Sequence, residues 1–237
     1  MCVRSFDELL NLISEKITKK DTNTRLSISS AERLVITLRY LATGSTFPTM
    51  EYEFQVARST IPYIVRQTCQ ALWEVLQPIE MPNPTEEHLL KIAEEFYTRR
   101  SYGREVGDEA FGLAEHLLRP SPRQNLNISQ RVFNYRLTRA RRYVECTFGI
   151  LANKWRMFHS TMLVSENFAG DITKAACVLH NFVRRRDGYN FGDSLTNPIR
   201  GLDARGTGGP STGIAIRKRF EEYFMNEGSV PWQYDKI

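Results

Sequence analysis

The sequence predicts a mainly α-helical fold whose N-terminal part is a helical bundle with a helix-turn-helix-like hairpin. Three observations predict it. Apolar residues recur at three- and four-residue spacing in stretch after stretch. Ser and Thr capping signals stand before several of these stretches. Strand pattern is scarce, with Val106-Gly107-Asp108 reading as the end of one short strand.

The elements follow in order. Ser5 and Glu8 fit a capping box, with Phe6, Leu9, Leu10, Ile13 and Ile17 as the stripe behind it. Ser29 and Glu32 repeat the signal before Ala31, Leu34, Val35, Leu38 and Leu41, and Gly44 and Pro48 end that helix. A short helix is predicted over 49–57, a tight turn at Arg58-Ser59, and a longer helix from Thr60 with Ser59 as N-cap and Pro62 in its first turn. Ile61, Ile64, Val65, Leu72, Val75 and Leu76 would face inward, leaving Arg66, Gln67 and Gln70 outward. That is the arrangement of a helix-turn-helix reader of DNA, and equally of a plain helical hairpin in a bundle. Thr85 caps a further helix carrying Leu89, Leu90, Ile92, Ala93 and Phe96.

Ser129 can cap a long helix with the stripe Phe133, Leu137, Ala140, Val144, Phe148, Leu151, Trp155 and Phe158. Beside it runs Thr138, Arg141, Glu145, Gly149, Ala152 and Arg156. Glu145 is the single acid in "YRLTRARRYVECTFGILANKW". It is either one half of an Arg141–Glu145 ion pair or a metal ligand where phosphate is handled. Asp108 has two readings also, a helix N-cap or a carboxylate at a rigid strand tip. Cys177 and His180 have ligand-like spacing without a second pair, so core packing with Phe168, Ile172, Ala176, Leu179 and Val183 is the expectation. Residues 188–213 read as a disordered linker, before a last helix near Gly213–Phe224 and a tail.

Composition agrees with a globular chain: 237 residues, 41% hydrophobic, 25% charged and 11% aromatic, with net charge +5. The basic balance, with a pI near 9.1, suits an anionic partner such as nucleic acid. The four cysteines, Cys2, Cys69, Cys146 and Cys177, form no CxxC pair and read as free thiols in a reducing compartment. The first residues lack an uninterrupted apolar core for a signal peptide, and no apolar run approaches membrane-spanning length.

"VGDEAFGLAEHLLRP", "NYRLTRARRYVECTFGILANKWRMF", "AACVLHNF" and "EGSVPWQYDKI" resemble the C-terminal half of PIF/Harbinger-type transposases and the nucleases derived from them. "ISSAERLVITLRYLATG" and "ARSTIPYIVRQTCQALW" resemble their N-terminal half. The resemblance implies an RNase H-like α/β fold with a DDE set of acids that bind divalent Mg²⁺ or Mn²⁺ for phosphodiester cleavage. Glu145 resembles the final glutamate of the set, catalytic and metal-binding, and Asp108 an additional metal-binding aspartate. Arg66, Gln67, Arg136, Arg139, Arg141, Arg142 and Arg156 are the expected DNA contacts. The implied partners are DNA and a separate DNA-binding protein, and the implied location is the nucleus, with the cytoplasm as a second one.

The match breaks in the middle. No counterpart of the family's IDG and SDGG-like motifs occurs, and "AEEFYTRRSYGREVGDEAFG" runs straight past where they would stand. Asp187-Gly188 reads as a helix end. Glu105 and Glu109 are the nearest substitute acids, but Asp108 and Glu145 alone are too few for two metals. The sequence therefore divides into a helical, helix-turn-helix-like region (1–100), the C-terminal part of a DDE nuclease domain reduced to a remnant (101–187), and a linker with a C-terminal helix and tail (188–237). It reads as a transposase-derived nuclease with an incomplete catalytic set, or as a non-catalytic DNA-binding remnant.

Overall fold

The structure is a computed structural model that describes residues 1–21, 23, 26–85, 87, 91, 105–106, 117–122, 125–188 and 211–237. The described residues are mainly helical, as the periodicity predicts. They fall into two compact units, Met1–Asn83 with Gly149–Asn197, and Pro84–Phe148 with Pro198–Ile237. The helix expected after Thr85, Asp108, Glu109 and most of the expected linker lie outside the described residues.

In the first unit, α1 (Val3–Ile17) buries Leu9, Ile13 and Ile17. The expected Ser5–Glu8 capping box does not form. The helix begins before Ser5, with Cys2 as an N-cap whose side chain makes no capping bond and reaches Asp187 instead. Ser5 and Glu8 serve tertiary contacts instead: the Ser5 hydroxyl donates to Asp187 and Glu8 accepts from Arg186.

α2 (Ser30–Thr43) has the expected cap, with Ser29 Oγ accepting the Glu32 amide at 3.2 Å. Gly44 ends it in the left-handed region, φ 68°, and its amide donates to the Tyr40 carbonyl. A Cβ there would sit 3.0 Å from the Met157 backbone, so both conformation and space select glycine. Arg33, Ile36, Thr37 and Tyr40 are buried beside Leu34 and Leu41, while Val35, expected inward, is exposed. The neighbours of α2 (α1, the next two helices and a 3-10 turn) cover the arc that carries Arg33, Ile36, Thr37 and Tyr40, so the buried face is rotated from the predicted stripe and Val35 falls on the opposite side.

Pro48 does not stop α2 but opens α3 (Phe47–Phe54), capped by Thr46. A proline in the first turn loses no helical hydrogen bond. Gln55, left-handed at φ 53°, ends α3 three residues before its predicted limit. α4 (Thr60–Glu80) buries Ile61, Ile64, Val65, Leu72 and Leu76, with Val75 partly buried, as expected. Ser59 precedes it without capping, because its backbone is already helical and the amides of Thr60 and Ile61 donate to the Ala57 carbonyl.

α5 (Ile128–Lys154) belongs to the second unit as far as Phe148 and to the first from Gly149. A 3-10 turn, Arg156–His159, follows it, then α6 (Glu166–Asp187). α4 packs more extensively against α6 than against any other element. Cys177 is half-buried on α6, and burial pushes its thiol pKa up, which fits the packing role expected of it. Among the described residues no three metal-capable side chains cluster.

The last turn of α6 holds the ends of α1 and α4. Arg186 donates to Glu8 Oε1 at 2.8 Å and to Glu80 Oε1 at 2.7 Å, and Arg185 lies 3.5 Å from Glu80 Oε2. Asn181 donates to the Glu80 carbonyl. Burial opposes the charged form of Asp187, but bonds from Ser5 Oγ, Cys2 Sγ and the Cys2 amide, with the N-terminal ammonium nearby, outweigh it and hold its pKa at about 2. A depressed carboxylate contributes stability that is full above the ordinary carboxylate range and lost as pH falls through the folded value. The stability difference between the parent chain and Asp187→Asn is therefore expected to be constant at neutral pH and to shrink from about pH 4 to about pH 2 in urea titrations. A difference that does not change with acid would mean that these contacts do not depend on the charge.

In the second unit, β1 (Glu105–Val106) and β2 (Leu117–Leu118) pair in parallel, Glu105 opposite Leu117. The cap of α5 is Asn127 and not Ser129. Asn127 Oδ1 accepts the Gln130 amide at 2.8 Å, and Gln130 Oε1 accepts the Asn127 amide at 3.2 Å, a reciprocal box one turn long. α7 (Ser211–Met225) covers the expected last helix and begins two residues earlier. Among the described residues, Leu118, Val132, Phe133, Leu137, Ala140 and Phe224 form this unit's core. A 3-10 turn, Pro231–Lys236, closes the tail, where the buried Gln233 donates to the Phe224 carbonyl at 2.9 Å.

Candidate nucleic-acid interface

The arginines of α5 are close in sequence, but a helix rotates about 100° per residue and fans them apart. Arg136 turns inward and is buried, its guanidinium 4.9 Å from the Phe224 ring and 5.2 Å from the Trp232 ring. Arg139 is exposed and lies over Trp232 at 4.2 Å. Arg142, one turn further, is also exposed. Arg141 points along the helix and donates to Glu145 Oε1 at 2.9 Å. The four basic residues thus divide into one core cation, one ion-pair partner and two that face outward.

Glu145 is half-exposed, at 50%. Its ion pair with Arg141 is the ordinary one of the two readings its position allows, and contributes about 0.3–0.5 kcal/mol. Such a pair is easily exchanged for another cation. Among the described residues nothing joins Glu145 in a three-ligand cluster, so those residues do not fit a two-metal centre. Asp108, which the resemblance places beside it, lies outside the described residues, as does Glu109. Glu105 is in β1.

In the first unit the hairpin residues are engaged. Arg66 Nε and Gln70 Nε2 both donate to Asp171 of α6, at 3.2 and 2.9 Å. Gln67 accepts from the buried Arg33 at 2.7 Å and donates to the Tyr63 hydroxyl at 2.7 Å. α3 offers acids outward, with Glu51 paired to Arg58 and Glu53 to Arg39. The face expected to read DNA therefore carries its own counter-charges. Arg156 is exposed in the 3-10 turn after α5.

Sequence reasoning missed the aromatic partners of the arginines. Trp232 meets Tyr135 edge-on at 6.2 Å as well as Arg136 and Arg139. The signal available was "PWQY", an aromatic pair in a short tail after a basic helix.

No helix among the described residues is long and apolar enough to cross a membrane. Neither a curated protein nor a solved structure matches the chain. Residues 88–181, less than half of the chain but including α5 with Glu145, match the family described as DDE superfamily endonuclease, so this stretch is similar to an endonuclease domain of that superfamily.

Proposed function

We propose that this chain is a transposase-derived, DDE-type nuclease of PIF/Harbinger descent whose catalytic set is incomplete, so that it engages DNA in the nucleus without cutting it. The observation that carries the reading is the match over residues 88–181, with Glu145 where the resemblance puts the last acid of the set. In a complete set the acids hold Mg²⁺ or Mn²⁺ ions that activate the attacking oxygen and stabilise the leaving one. Here Glu145 and Asp108 are the only members that the resemblance supplies, and the IDG and SDGG-like motifs have no counterpart. A separate DNA-binding protein remains a partner that this descent suggests.

The non-catalytic reading is favoured by that missing pair of aspartates. Purified chain incubated with supercoiled plasmid and Mg²⁺ or Mn²⁺ is expected to nick no faster than buffer. Cleavage that Asp108→Ala and Glu145→Ala both abolish would overturn this and assign Glu105, Glu109 or a second subunit to the site.

Duplex binding itself is expected to be salt-sensitive, with Arg139 and Arg142 as its exposed cations. Each phosphate contact contributes a slope of about 0.9 to log K against log salt, so Arg139→Gln with Arg142→Gln is expected to flatten the slope by about 2. An unchanged slope, or no duplex binding at about 50 mM salt, would remove α5 from the DNA interface.

A further inference from the structure

We infer that α5 and the tail of the second unit form a stacking seat for single-stranded DNA, built on Arg139 and Trp232. The inference rests on DNA being the partner, and goes beyond that by naming the form of DNA and residues outside the arginine cluster. Tyr135, Arg139 and Arg142 stand at i, i+4 and i+7 and share one face of α5. The tail brings Trp232 onto that face: Tyr135 meets the indole edge at 6.2 Å and Arg139 lies over the ring at 4.2 Å.

The platform is held in place before any ligand arrives. Gln233, next to Trp232, is buried and donates to the Phe224 carbonyl and to Ser229 Oγ. Arg136 closes the inner side, between Phe224 and Trp232. Yet Trp232 keeps 38% and Tyr234 46% of their surfaces exposed, on a turn of six residues. Large aromatic surface left open beside exposed guanidinium groups matches what unpaired bases require: a flat polarisable face to stack on and a cation for the adjoining phosphate. A base stacked on Arg139 or on the open part of the indole would place its phosphate toward Arg142, one turn away. Bases in a duplex have both faces covered by neighbours and cannot use such a seat. Asp235, exposed in the same turn, carries a charge that opposes a phosphate.

The test uses the full chain and a fluorescently labelled single-stranded oligothymidylate, with a duplex of the same length in parallel. Trp155 is buried and Trp73 half-buried, so quenching on binding reports chiefly Trp232. Stacking is worth about 1–3 kcal/mol per base, so Trp232→Ala and Arg139→Gln are each expected to weaken single-strand binding by about 5- to 150-fold. Trp232→Phe is expected to retain part of the affinity while losing the quenching, and Lys16→Gln in the first unit to change nothing. Circular dichroism of Trp232→Phe and Arg139→Gln checks that both remain folded. Single-strand binding that is absent, or equal in all variants, overturns the inference. Duplex binding without single-strand binding overturns it while leaving the DNA reading intact, and no binding of either form removes both.

Discussion

Replacing Arg186 by alanine is expected to destabilise the first unit by about 3–5 kcal/mol, the range for removing one partner of a buried ion pair. The Glu80 side chain is 0% exposed, and Arg186 Nη1 at 2.7 Å is its shortest contact. Arg185, 59% exposed and 3.5 Å from the other carboxylate oxygen, cannot replace it without leaving water. Glu80 would then be a charge without solvent or a close counter-charge. Removing the acid instead has a smaller expected consequence, because in Glu80→Ala Arg186 retains Glu8 at 2.7 Å and Arg185 returns to water. The pair Glu80→Leu with Arg186→Met should regain most of the loss, since apolar replacements of a buried ion pair are often neutral. Urea titration of the three variants decides this. If Arg186→Ala costs no more than Glu80→Ala, the carboxylate is better solvated than its burial implies.

Phe224→Ala is expected to cost about 3–5 kcal/mol in the second unit, the usual range for deleting a fully buried aromatic ring. Phe224 is 0% exposed, with Tyr223, Phe220 and Phe133 rings at 5.5, 6.0 and 6.4 Å and the Arg136 guanidinium at 4.9 Å. Among the described residues this cluster has six buried members, so one ring is a large fraction of it. Amide hydrogen exchange is the better readout, because it separates the units. Protection should fall in α7 and in α5 between Ile128 and Ala140, and persist in α4 and α6. Uniform loss throughout would mean that the two units unfold together.

The helices were legible because their signals are local. The apolar positions of α1, α4 and α6 recur every three or four residues whatever packs on them, and Ser29 caps α2 by accepting the Glu32 amide within one turn. Legibility ended where non-local contacts chose among local options. Ser5 had a cap to offer and Asp187 took its hydroxyl. Asn127 and Ser129 both suit a helix start, and the reciprocal bond with Gln130 selects Asn127. The α5 stripe looked continuous from Phe133 to Phe158, yet Val144 and Phe148 are 50% and 53% exposed between the stretches that enter the two cores. Periodicity reports which residues share a face, not how far the neighbour extends. The same limit governed the arginines: nearness in sequence suggested a single phosphate surface, and helical rotation distributed them between a core, an ion pair and solvent. Trp232 was out of reach, because nothing near it in sequence specifies Arg139 as its neighbour. Glu145 gained meaning only through resemblance, since its Arg141 partner is what any helix of this composition would provide.

The first unit is assembled from two pieces of chain, with much of the second unit encoded between them. On a ribosome this sets an order of events. α4 is complete at Glu80, but α6, its most extensive neighbour, ends only at Asp187. At synthesis rates of about 5–20 residues per second, roughly a hundred residues of delay leave that side of α4 uncovered for on the order of 5–20 seconds. Helix formation and collapse take microseconds, so the nascent bundle waits on translation and not on its own folding rate. The buried carboxylate of Glu80 spends the same interval without Arg186. A holdase that shields apolar helices, or codons that hasten the passage to α6, would act on this interval.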